Sequence, residues 1–154
     1  MLEWEGLSFK AQAALGEAID TATERGHSDL TSIHILQALL HQDGGALAGM
    51  LHQAGGESEQ VHASVVGDME RLPRLTGSAG AVGVTREVDA LIGRAWMAAH
   101  KFGDDRLGPE HLVLAMVESG ADQGGAILRE QGLSVLLVTR YLFMVRQSHS
   151  EHRA

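Results

Sequence analysis

Small and apolar positions along this chain recur at steps of three and four, the period of a helix with one buried face. Phe9, Ala13, Ala18 and Ala22 keep that spacing behind Ser8, which predicts an N-capped helix ended by Gly26. Thr31 is placed to cap a second helix, from about Ser32 to Gln42, with Ile35, Leu36, Leu39 and Leu40 on its apolar face. Asp43-Gly44-Gly45 predicts the turn that follows. Leu47, Met50 and Leu51 mark a short third helix before Gly55-Gly56. A fourth carries Val61, Val65, Val66 and Met69, has Glu57 and Glu59 near its start, and stops before Pro73.

The second half repeats this plan. Gly26 and Gly103 each close an apolar-periodic stretch, and 103 − 26 = 77. The same offset pairs Ala18 with Ala95, Ala22 with Ala99, Leu30 with Leu107, His34 with His111, Ala38 with Ala115, Leu51 with Leu128, Gly55 with Gly132 and Val61 with Val138, without a gap. Self-similarity at one fixed offset is the mark of a duplicated unit. In the second copy Thr85 is the N-cap of a helix with Val88, Leu91, Ile92, Ala95 and Ala99 in its core stripe. Pro109 opens the next helix, where its missing N–H costs nothing. Ile127 and Leu128 fall on the short helix, and Leu136, Val138, Leu142 and Val145 on the last. The fold class expected is all-α, two tandem four-helix repeats related by a pseudo-twofold. The divisions are a flexible leader 1–7, a first repeat 8–73, a Gly-rich linker 74–84, a second repeat 85–147 and a polar tail 148–154.

Composition narrows the function classes. A chain of 154 residues with 44% apolar content can bury a core without staples, and it has no cysteine for disulfides or thiolate chemistry. The acidic start, Met1 to Gly6, has no long apolar run, so no secretory signal is expected, and no stretch is long enough to span a membrane. These features suit a cytoplasmic protein. The net charge of −8, with no local basic patch legible in the sequence, argues against nucleic acid as a partner. The glycines from Gly77 to Gly83 follow no strand pattern and precede no Lys-Ser/Thr, so they read as a linker and not as a phosphate loop.

No Ser-His-Asp set or carboxylate pair follows from spacing, so no catalytic residue is expected and the chain is read as a non-enzyme without cofactor. His34 and His111 occupy matching places, which predicts a duplicated structural task such as bonding a loop backbone. His34 and His41, at i and i+7, are too far apart to chelate one metal ion unaided. Trp96 fits either the core or the wall of a groove, and Trp4 can dock on the domain or on a partner.

The stretch Gly26 to Leu40, Gly-His-Ser-Asp-Leu-Thr-Ser-Ile-His-Ile-Leu-Gln-Ala-Leu-Leu, resembles the repeated motif of Clp amino-terminal domains. The stretch Gly103 to Val117, Gly-Asp-Asp-Arg-Leu-Gly-Pro-Glu-His-Leu-Val-Leu-Ala-Met-Val, resembles it more closely. Ile33 stands where the family often has Glu, a variation similar to the ClpB disaggregase branch, as is Met69-Glu70-Arg71-Leu72-Pro73. Ala95 to Gly103 is similar to the ClpV branch, which disassembles the type VI secretion sheath.

The resemblance implies an accessory domain that docks unfolded or aggregated protein segments, an adaptor or a sheath helix, beside the AAA+ ring of an unfoldase. The chain lacks a nucleotide loop and is not itself the motor. Alternatives are a ClpV-type domain dedicated to one sheath helix and a stand-alone adaptor of an unfoldase or protease. The isolated domain is expected to be monomeric. By resemblance, the substrate-engaging positions fall on Ser8, Asp104 and Glu110, beside an apolar groove near Ile92 and Trp96 with acidic rims. Ser8 also has a structural role as a cap, and Glu110 suits the first turn of its helix. Replacing Asp104 and Glu110 by Ala is expected to weaken client binding without lowering thermal stability.

Overall fold

The structure, a computed structural model, describes residues 4–74 and 82–153. Eight helices among these residues form the repeat in two halves: α1 (Phe9–Glu24), α2 (Ser32–Leu40), α3 (Ala46–Ala54) and α4 (Ser58–Glu70), then α5 (Arg86–Lys101), α6 (Pro109–Glu118), α7 (Gln123–Glu130) and α8 (Val135–Arg153). None of the helices is long and apolar enough to cross a membrane.

The helix ends follow the cap chemistry. The Ala11 N–H donates to Ser8 Oγ at 3.1 Å, and the Val88 N–H donates to Thr85 Oγ1 at 3.2 Å, at matching starts of α1 and α5. Gly26 and Gly103 follow those helices at φ of 72° and 73°, a left-handed turn that a side chain would resist.

Helices α2 and α6 form the centre. From Ser32 to Leu39 and from Pro109 to Val117 every residue but Glu110 is buried, so these helices are enclosed on all sides and not only along one stripe. Buried Ser32 is satisfied across the repeats, its Oγ accepting from the Gly124 N–H at 3.2 Å. The packing obeys the pseudo-twofold: α1 lies on α2 as α5 lies on α6, α1 touches α6 as α5 touches α2, and α3 meets α8 as α7 meets α4.

Two short strands, β1 (Asp29–Leu30) and β2 (Gly83–Val84), pair in parallel. The end of the expected linker is therefore held by the first repeat, and Arg74 bridges His27 at its other end. Linker positions 75–81 lie outside the described residues. The leader is held as well. Trp4–Gly6 form a 3₁₀ turn, Leu7 is fully buried, and Arg106 Nη1 donates to the Glu5 carbonyl at 2.9 Å. Residues 1–3 lie outside the described residues.

Several assignments of the core stripe differ from expectation. Phe9 is 90% exposed and Ala13 is exposed, because the buried face of α1 is Ala11, Ala14, Leu15, Ala18 and Ala22. Leu136 is 61% exposed and Val145 only half-buried, since Val138 and Leu142 take the inner face of α8. The α8 backbone also continues past Gln147 to Arg153, a stretch with no Gly or Pro to stop it.

Candidate docking groove and the motif loops

The two motif loops hold the paired histidines. His34 Nδ1 accepts from the Thr31 N–H at 2.9 Å, and His111 Nδ1 accepts from the Gly108 N–H at 2.8 Å. The duplicated histidine thus performs the duplicated structural task, closing the first turn of α2 and of α6. With Nδ1 an acceptor, Nε2 of each neutral ring carries the proton and must donate. His111 Nε2 donates to Asp104 Oδ2 at 2.7 Å. His34 Nε2 donates to His27 Nδ1 at 2.8 Å. The offset 104 − 27 = 77 shows that Asp104 and His27 are the same position in the two repeats.

The two loops consequently differ in charge. In the first, burial and the neighbouring His27 imidazole push His34 down from its ordinary 6.5 to about 4. His27 is lowered too, by burial and then by the Arg25 and Arg74 guanidiniums, and its buried Nε2 has no hydrogen-bond partner. In the second, Asp104 receives both His111 and the guanidinium of Arg146. Arg146 also donates to the Phe102 carbonyl at 3.0 Å and lies 4.8 Å over the Phe102 ring, so it caps the C-terminus of α5 from α8.

The expected site residues divide accordingly. Asp104 and Glu110 both lie at His111, with Glu110 Oε1 3.5 Å from Nδ1, and both are part-exposed. Ser8 is spent on its cap, and its N–H donates to the Leu107 carbonyl at 2.9 Å. Trp96 is half-buried, its indole lying against Gly6 so closely that a side chain there would collide with the ring. Its other edge borders an open hollow shared with His100, Lys101, Asp104 and Asp105. Ile92 is only 5% exposed and belongs to the core, so it offers no surface to a ligand. That corrects the expectation of Ile92 as a groove residue.

A second hollow lies between α5 and α8 over the end of α6, a groove of about 450 Å³. Ala98 and Leu114 form its floor, and Met97, Val135 and Phe143 its walls. Met97 is 67% and Phe143 55% exposed, large apolar side chains with one face on the protein and the other on solvent. Phe102 and Phe143 close one end with ring centroids 5.6 Å apart. The polar lining is Arg94, Lys101, Arg146, Thr139 and a single acid, Glu118. The rim of this groove is therefore mostly basic, with its cations assembled from two helices. The signal was present in part. Val135, Thr139, Phe143 and Arg146 recur at helical spacing beside the core stripe of α8, but nothing in one helix says that α5 faces it.

A pseudo-twofold all-α module built from two four-helix repeats is the class of fold that these helices define. The chain belongs to the Clp repeat (R) N-terminal domain family, whose pattern matches residues 7–131. It is 34% identical over 137 residues to the chaperone protein ClpB of Gloeobacter violaceus, covering 89% of this chain and 16% of that protein. The chain spans between 15% and 18% of the length of the ClpB proteins of Pseudomonas putida and Rhizobium meliloti that it also matches. Its fold is that of the Hsp104 N-terminal domain from Candida albicans, with a TM-score of 0.77, 19% identity and 91% of each chain covered. It is also that of the N-terminal domain of the ClpV1 ATPase from E. coli, with a TM-score of 0.75, 24% identity, and 88% and 83% covered. A third solved structure is a ClpV N-domain in complex with a VipB peptide, with a TM-score of 0.66, 21% identity, and 88% and 76% covered.

Proposed function

We propose that this chain is the partner-receiving domain of a Clp-type AAA+ chaperone in the cytoplasm, non-catalytic itself, and that it takes apolar segments of client or adaptor proteins into the α5–α8 groove. The observation that carries the reading is the solvent-exposed apolar wall of Met97, Val135 and Phe143 over Ala98 and Leu114. Covering that wall removes apolar surface from water, the main driving force for association. The groove walls are helices whose backbone groups are already spent, so they offer no ladder to an extended strand. A segment whose own backbone is satisfied, an amphipathic helix, fits such a groove. Affinity would be modest, because the area is small and a disordered client must be ordered as it binds.

Titrating the isotopically labelled chain with an unfolded model protein and with amphipathic helical peptides tests this by NMR. Shifts clustered at Met97, Val135 and Phe143, lost in the Phe143→Ala variant, are the expected result. Shifts that avoid α5 and α8 altogether would sink it.

A second reading has one observation in its favour, the shared fold with a ClpV N-domain that is solved with a VipB peptide. In it the groove serves a single dedicated helix of a secretion sheath. Response to one helical sequence, with silence toward unfolded protein, would select it.

A further inference from the structure

The groove carries a charge pattern that specifies its occupant further. Arg94, Lys101 and Arg146 line it against one carboxylate, Glu118, in a chain whose net charge is −8. Arg146 is already paired with Asp104 and capped onto Phe102. Arg94 is not: its Nε is buried and has no hydrogen-bond partner, and Lys101 has no ion-pair partner among the described residues. An incoming carboxylate would meet the Arg94 guanidinium where it lines the groove, in a charge-assisted hydrogen bond.

Arg94 and Lys101 both lie on α5, seven residues apart. Seven residues are two turns, so the two cations stand in line about 10 Å apart along the helix. Val135 and Phe143 mark out a similar length on the opposite wall.

Resting on the groove reading above, we infer that the segment received there is an acidic amphipathic helix, with carboxylates two turns apart that meet Arg94 and Lys101 while its apolar stripe covers Met97, Val135 and Phe143. A helix with lysines at those places would set like charges against α5. The same apolar stripe with glutamines would leave Arg94 and Lys101 without a counter-charge. The complementarity acts on selection and encounter more than on total affinity, which the apolar stripe supplies.

Three labelled helical peptides with one apolar stripe, differing only in Glu, Gln or Lys at two positions seven residues apart, test this by fluorescence anisotropy. The Glu peptide should bind on the order of fivefold more tightly than the Gln peptide, and the Lys peptide more weakly still, as expected for two part-exposed ion pairs. The preference should collapse as ionic strength rises toward about 1 M, where screening acts within about 3 Å. Lys101→Glu, at an exposed position, should shift the preference toward the Lys peptide, and Arg94→Glu should do so more fully. Equal binding of all three peptides overturns the charge selection while leaving the groove intact. A Glu preference that survives both substitutions overturns it as well, since the selecting charges would lie elsewhere. No binding by any peptide overturns the groove reading and this inference together.

Discussion

Leu7, just ahead of α1, bridges in parallel to Leu107, just ahead of α6. Leu30, just ahead of α2, pairs likewise with Val84, just ahead of α5. Since 107 − 30 and 84 − 7 both equal 77, the two contacts are one contact made twice, with each repeat lending its leading segment to the motif loop of the other. Leu7, Leu30 and Leu107 are all fully buried. Leu107→Ala is therefore expected to cost about 2–5 kcal/mol by the usual measure for a buried leucine, read from denaturant unfolding. It should also quicken hydrogen exchange at the Ser8 amide, whose acceptor is the Leu107 carbonyl. Faster exchange confined to α6 would contradict the exchange of leading segments.

Acid should weaken the first motif loop. The folded state keeps His34 neutral down to about pH 4, whereas the unfolded chain takes up that proton near 6.5. Between those values the unfolded state binds more protons, so stability falls as pH drops from 6.5 toward 4, by at most about 1.4 kcal/mol per unit for one group. Below 4 this group adds no further loss. The charges facing the pair, Arg25 and Arg74, act in the same direction. His27→Asp would give His34 the acceptor that His111 has in Asp104, and should flatten the dependence. Urea unfolding across this interval checks both, and a wild-type midpoint unchanged from pH 6.5 to 4.5 would refute the assignment.

Asp104→Ala should lower stability by about 1–3 kcal/mol, because it leaves the buried His111 Nε2–H without its acceptor and frees Arg146. This reverses the expectation that the position could be emptied without thermal cost. Glu110→Ala, whose carboxylate is 3.5 Å from His111 and part-exposed, should cost less. Melting curves of the two variants side by side decide it: equal midpoints would count against the Asp104 network.

Gly6→Ala should displace the Trp96 indole that lies against it, since the added methyl would occupy the space of the ring. Overpacking of this kind costs about 1–3 kcal/mol. A Trp4→Phe background leaves Trp96 as the sole indole, and its emission should shift to longer wavelength in the Gly6→Ala variant. An unaltered spectrum would mean that the leader moves instead.

Helix identity and repeat order were legible because Gly26, Gly103, Ser8, Thr85 and Pro109 act locally, through caps and turns that any short window displays. The duplicated role of His34 and His111 was legible too, since one offset links them. What the sequence hid was relational. Ile92 and Met97 are both apolar residues of α5, and only the docking of α6 and α8 decides that the first is core and the second groove wall. The charge of the groove was hidden for the same reason, because Arg94 and Arg146 stand on different helices of a chain that is acidic as a whole. Phe9 shows the opposite error: an aromatic at helical spacing is drawn inward by pattern alone, yet α1 buries its alanines.

The crossed leading segments give this chain the topology of a domain-swapped dimer written as a single polypeptide. Neither half possesses its own first strand, so neither has a complete set of backbone partners when alone. The connection between Arg74 and Gly83 then acts as a tether that turns a bimolecular encounter into ring closure, holding the halves at a high effective concentration. Melting one motif loop withdraws support from the other, and the domain should respond to heat, acid or a bound partner as one cooperative body.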